Sequence, residues 1–124
     1  MKKERPVHLA LHQIRLPLPG IVSILHRISG LTLFFALPPL LWMLQASLTS
    51  IETYTGLLDV LEQPSVKLVL LSLLWAFLHH FCAGIRFLLI DLHFLRTLEL
   101  ARTSSKLVLG VSLLFTILIG ARLW

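Results

Sequence analysis

Three stretches of this sequence carry almost no charge for as long as a helix needs to cross a bilayer. A hydrocarbon core about 30 Å thick takes roughly 20 helical residues to span. Ile28 to Leu48 reaches that length without a charged residue. Leu68 to Ile85 nearly does, and the run resumes after Arg86 as Phe87 to Ile90. Leu107 to Ala121 is shorter. It becomes long enough if Ser104 and Ser105 join it and Arg122 snorkels outward, with Trp124 at the interface. Lipid offers no partner for backbone N–H and C=O groups, so a lone spanning segment must be a helix. Strands of a membrane barrel would be about ten residues long and alternating, which is not the pattern here. Composition agrees: 56% of residues are hydrophobic and 14% charged, where a soluble domain carries about 25% charged.

The expected architecture is an all-α membrane protein with three transmembrane helices. It reads as a single transmembrane domain over residues 1–124, with a polar leader at 1–20 and helices at about 21–48, 65–90 and 104–124. The leader is expected to lie extended at the membrane surface. Residues 49–64 should form a loop or a short surface helix ending at Pro64, and residues 91–104 the second connection. Three helices make a poor bundle alone and leave little room for a self-contained active site. They are therefore expected to be part of a heteromeric helix bundle, and the chain is not expected to catalyse a reaction by itself. Pro38 and Pro39 lack N–H groups in mid-helix, so a kink is expected there. It could make room for a ligand or partner helix, or be a proline that membrane helices tolerate.

Lysine and arginine favour the cytoplasmic side of a membrane. The leader holds Lys2, Lys3, Arg5 and Arg15, and the second connection holds Arg96 and Arg102, with Arg86 before it and Lys106 after it. The first connection has only Glu52, Asp59 and Glu62. The amino terminus is thus expected in the cytoplasm and the carboxyl terminus in the periplasm; Lys67 and Arg122 are outvoted. The net charge of +5 flanks the apolar runs, so it is read as a topology signal and no nucleic acid is expected as a partner. The proline-bearing leader does not resemble a signal peptide. The lack of an Arg- and Ser-rich transit segment favours a bacterial inner membrane. Cys82 is the only cysteine and reads as a small apolar side chain.

Ionisable groups inside spanning helices are costly and are functional candidates by default. Ser23, His26, Arg27 and Gly30 share one face at the inner end of the first helix. That face could bind a polar head whose tail lies in lipid, or it could be an interfacial arginine with a histidine beside it. In the second helix His80 lies about 16 Å from the inner end at Asp91, at roughly 1.5 Å per residue. His80, Gly84 and Asp91 fall within about 40° of one another. A flat glycine beside a buried imidazole suits a haem plane or a close partner helix. His79 points about 100° away from His80, so both can hardly ligate one iron. His8, His12, His26 and His93 are expected near the inner surface, short of the level of His80.

Taken together, Ser23-Ile24-Leu25-His26-Arg27-Ile28-Ser29-Gly30, the later His80-x-x-x-Gly84-x-Arg86, Asp91 beyond it, and Arg5-Pro6 with Leu9 resemble the cytochrome b anchor subunit of bacterial succinate dehydrogenase, the membrane part of respiratory complex II. The resemblance covers nearly the whole chain. It implies that His80 is an axial ligand of haem b, that Ser23 and Arg27 line a ubiquinone site, and that His26, with Arg27, lies near the haem propionates. It also implies three partners within the membrane complex: a second hydrophobic anchor supplying the other haem ligand, an iron–sulfur subunit and a flavoprotein subunit. Phe87 departs from the pattern, because the family commonly has a histidine there, which puts any propionate contact at that position in doubt. The competing readings are a fumarate reductase anchor, a haem-free structural anchor, and a small transporter. The last is disfavoured by the lack of acidic residues within the spans.

Overall fold

In the computed structural model, which describes residues 14–124, the chain forms four helices. These are α1 (Leu18–Thr49), α2 (Ile51–Leu61), α3 (Pro64–Asp91) and α4 (Leu98–Leu123). Most of the leader, with Arg5, Pro6 and Leu9, lies outside the described residues. Helices α1, α3 and α4 are long and apolar enough to cross a membrane. The protein is a multi-pass membrane protein.

Local chemistry sets the helix ends. Pro17 is extended and caps α1, and Pro19 occupies the first turn, where a missing N–H costs nothing. The helix therefore starts at Leu18, before the apolar run itself. It then runs through Pro38 and Pro39 as one element, leaving the Phe34 and Phe35 carbonyls without their usual donors. An apolar cavity of about 250 Å³ lies beside this point, between α1 and α3, lined by Pro39, Met43 and Val69 among others. The first connection is helical because Ser50 and Thr53 cap each other reciprocally: Thr53 N–H donates to Ser50 Oγ at 3.2 Å and Ser50 N–H to Thr53 Oγ1 at 3.1 Å. Helix α4 begins at Leu98, ahead of the start near 104 expected from the apolar run. Thr97 accepts from Leu100 N–H at 3.2 Å, and Glu99 in the first turn complements the helix dipole. Polar turns at a helix end are invisible to a search for apolar runs. The reversal after α3 places His93 at a φ of 65°; Phe94 N–H donates to Leu89 O and His93 N–H to Ile90 O, a Schellman stop with histidine where glycine is usual.

Helix α3 lies between α1 and α4 and packs on both, and α2 rests chiefly against α1. The seam between α3 and α4 is made of small groups. Ser105, Val108, Ser112, Thr116 and Gly120 recur every three or four residues along α4 and are all buried. The hydroxyls bond within their own helix: Ser105 to Ala101 O at 2.7 Å, Ser112 to Leu109 O at 3.1 Å and Thr116 to Ser112 O at 2.7 Å. What they present to α3 is a low, flat surface that lets two backbones approach closely. Bulky side chains face outward: Phe34, Phe35, Leu48 and Leu107 are all exposed. Ser112→Leu should therefore overpack the seam, at about 1–3 kcal/mol, and lower the amount of membrane-assembled protein. Ile117→Leu, on the exposed side of α4, should leave that amount unchanged; immunoblots of washed membranes compare the two.

Candidate functional site

Helices α1 and α3 bring the two polar clusters of the sequence into direct contact. The His26 and His80 rings stack with centroids 4.2 Å apart and planes 7° from parallel. Phe87, two turns along α3 from His80, packs on His26 at 5.1 Å with a 54° tilt. The expectation that His26 falls short of the level of His80 is therefore corrected. Helix α1 starts at Leu18, which puts His26 about 12 Å into the helix at ~1.5 Å per residue. Its ring then meets a side chain that has come a similar distance along α3 from Asp91.

The hydrogen bonds orient the His80 ring and assign its Nδ1 as donor. Its Nδ1 lies 3.1 Å from the backbone carbonyl of His26 and 3.2 Å from Ser29 Oγ. A carbonyl can only accept, so Nδ1 carries the proton. Ser29 in turn donates to the same carbonyl at 2.9 Å. In the neutral ring Nε2 is then the nitrogen with a free lone pair in the ring plane, and it makes no hydrogen bond among the described residues. This ring can bind a metal or accept a hydrogen bond. The half-buried position of His80 leaves the ring reachable.

Neither other nearby histidine can oppose His80 across a metal. Imidazole ligates through nitrogen lone pairs in its plane, and His26 lies face to face with His80 with no room between. His79 points about 100° away around α3 and is buried, like Ala83 and Arg86. It sits against Trp75, ring centroids 5.3 Å apart, and both its nitrogens lack partners among the described residues. No group of three or more metal-ligating side chains occurs among the described residues.

Gly84 faces α1: a Cβ there would stand 3.7 Å from His26 Nε2, an ordinary contact. Its flat surface accommodates the chain's own first helix. Ser23 is half-buried and Arg27 exposed, one turn apart on α1, with Arg27 next in sequence to the stacked His26. Asp91 is exposed at the end of α3. Arg86 turns away from the His26–His80 pair and enters the α3–α4 seam. There Nε donates to Ser104 Oγ at 2.9 Å and a terminal nitrogen to Ala101 O at 3.3 Å. Ser29 makes contacts that the sequence pattern does not assign. The signal available is its spacing of three residues from His26, which places it on the same face.

Residues 1–119 match the family described as succinate dehydrogenase/fumarate reductase transmembrane subunit. Over the full length of both chains the sequence is 36% identical to the succinate dehydrogenase cytochrome b556 subunit of Coxiella burnetii. It is 31% identical to the protein of the same description from Paracoccus denitrificans, over 92% of this chain and 88% of that one. For the protein of Rickettsia conorii the identity is 29%, over 95% and 90%.

Proposed function

Because the chain belongs to the succinate dehydrogenase/fumarate reductase transmembrane subunit family, we propose that it is the haem b-binding anchor of a bacterial succinate dehydrogenase, with His80 as axial ligand and Ser23 and Arg27 at a ubiquinone-reduction site. The observation that carries this reading is the His80 ring, whose Nδ1 proton is committed to the His26 carbonyl and whose Nε2 is left bare. A metal-binding histidine is commonly oriented in this way by a hydrogen bond at its other nitrogen. When bound, haem b supplies a one-electron carrier inside the membrane. His26, stacked on the His80 ring, would stand near the propionates of a haem held by His80. Phe87 gives His26 an apolar neighbour on α3.

His80 is the residue of this chain that would hold the haem, and in this reading a second hydrophobic anchor would supply the other ligand. The family reading adds an iron–sulfur subunit and a flavoprotein subunit, which oxidise succinate and deliver electrons. The relatives named above are succinate dehydrogenase subunits, which favours succinate oxidation over fumarate reduction. At the quinone, the Ser23 hydroxyl can donate to a carbonyl oxygen. The Arg27 guanidinium can stabilise the negative charge that builds there during reduction, a preorganised electrostatic role. Arg15, Arg27, Arg96 and Arg102 gather toward one end of the three spans, and Glu52, Asp59 and Glu62 toward the other. That asymmetry supports an inner-membrane protein with a cytoplasmic amino terminus and a periplasmic carboxyl terminus.

Three outcomes test this. His80→Leu in the assembled complex should lose or weaken the low-spin b-type signal in a reduced-minus-oxidised spectrum, whereas an unchanged spectrum would rule out the ligand assignment. Ser23→Ala and Arg27→Leu should slow succinate-dependent quinone reduction while dye-linked succinate oxidation continues. The losses should be about 1 kcal/mol for the hydroxyl and on the order of 2–4 kcal/mol for the guanidinium; wild-type rates in complex with normal haem exclude both residues from the site. Reporter fusions at the two termini should report opposite sides of the membrane, and a shared side would refute three crossings.

A further inference from the structure

The surroundings of His80 come from α1, and one residue of α1 makes them possible. In a helix each Cβ tilts toward the amino terminus and covers the preceding turn. The residue four positions on from His26 is therefore the one that would shield the His26 carbonyl, and that residue is Gly30. With no side chain there, the carbonyl is open from the side. It is within reach of the His80 Nδ1 proton at 3.1 Å as well as of the Ser29 hydroxyl at 2.9 Å. The fit is close: a Cβ built on Gly30 would stand 2.8 Å from His80 Cε1 and 3.3 Å from Nδ1. Cε1 joins the two ring nitrogens, so displacing it moves both the hydrogen-bonded nitrogen and the bare one. Ser29 completes the arrangement. Its proton goes to the His26 carbonyl, so its own lone pairs are turned to the Nδ1 proton as a second acceptor. It is buried, so water does not substitute for it.

We propose that Gly30 and Ser29 are positioning residues that set the orientation, tautomer and donor strength of His80, and through them the reduction potential of the haem it holds. This rests on the haem reading above. A proton shared with two acceptors gives the imidazole more anionic character, which strengthens its donation to iron and favours the oxidised state. Loosening that hold raises the potential.

The test uses the whole complex in native membranes, carrying Gly30→Ala, Ser29→Ala or, as a control, Gly110→Ala. Gly110 has nothing within 4 Å of an added Cβ. The readouts are the haem midpoint potential by redox titration and the low-spin ferric electron paramagnetic resonance spectrum. Gly30→Ala and Ser29→Ala should both shift the midpoint upward and move the low-spin g values, with the larger effect at Gly30, while dye-linked succinate oxidation and the Gly110→Ala complex match wild type. If Gly30→Ala strips the haem from an assembled complex, the predicted displacement of His80 is supported, and the shift in Ser29→Ala completes the case. Wild-type potential and g values in both Gly30→Ala and Ser29→Ala overturn the proposal while leaving the haem assignment standing. A wild-type haem signal in His80→Leu overturns the assignment and the proposal with it.

Discussion

Hydrocarbon has no hydrogen bonds to offer, and nearly every feature of this bundle answers that constraint. The backbone closes its own bonds in helices, and the polar side chains turn inward, where another helix or their own can satisfy them. Ser105, Ser112 and Thr116 return their protons to carbonyls one turn back. Arg86 finds a hydroxyl and a carbonyl on α4. The usual sorting of soluble proteins is reversed, with phenylalanines and leucines on the outside and serines in the seam. Because lipid tails are as apolar as leucine, helix pairing here depends on close fit between small residues instead of on expulsion of water.

The contact between α1 and α3 follows the same logic and yields chemistry. A helix carbonyl is normally shielded, and a histidine inside a bilayer normally needs a polar neighbour. Gly30 exposes the His26 carbonyl, and His80 uses it. One bond therefore satisfies a half-buried donor and, in the neutral ring, leaves the other nitrogen with an uncommitted lone pair. His79, one residue earlier, shows the alternative: fully buried, with neither nitrogen partnered among the described residues.

Much of this was legible in the sequence, because the bilayer imposes a length and a polarity that a linear reading can measure. The three apolar runs give the three spans. His80, Ser23 and Arg27 stood out as polar residues at lipid depth. Other features need two helices at once. The start of α4 escaped because its first turns are polar and are set by Thr97 as a cap. The level of His26 was misjudged because Pro17 and Pro19 begin α1 ahead of the apolar run. The small-residue stripe on α4 was present at helical spacing, but only the packing against α3 distinguishes it from scattered serines. The part played by Gly30 depends on the relative register of α1 and α3, which no single-helix pattern contains.

Arg86 brings one more consequence. It is 4% exposed, and the groups that hold it are a serine oxygen and a backbone carbonyl, with no carboxylate among the described residues. Neutral dipoles steady a cation without cancelling its charge, and in a medium of low polarity an uncancelled charge is felt over a longer range than in water. Arg86 is thus a cation held in the α3–α4 seam by dipoles alone among the described residues, and its field reaches further into the bundle than that of a paired ion would.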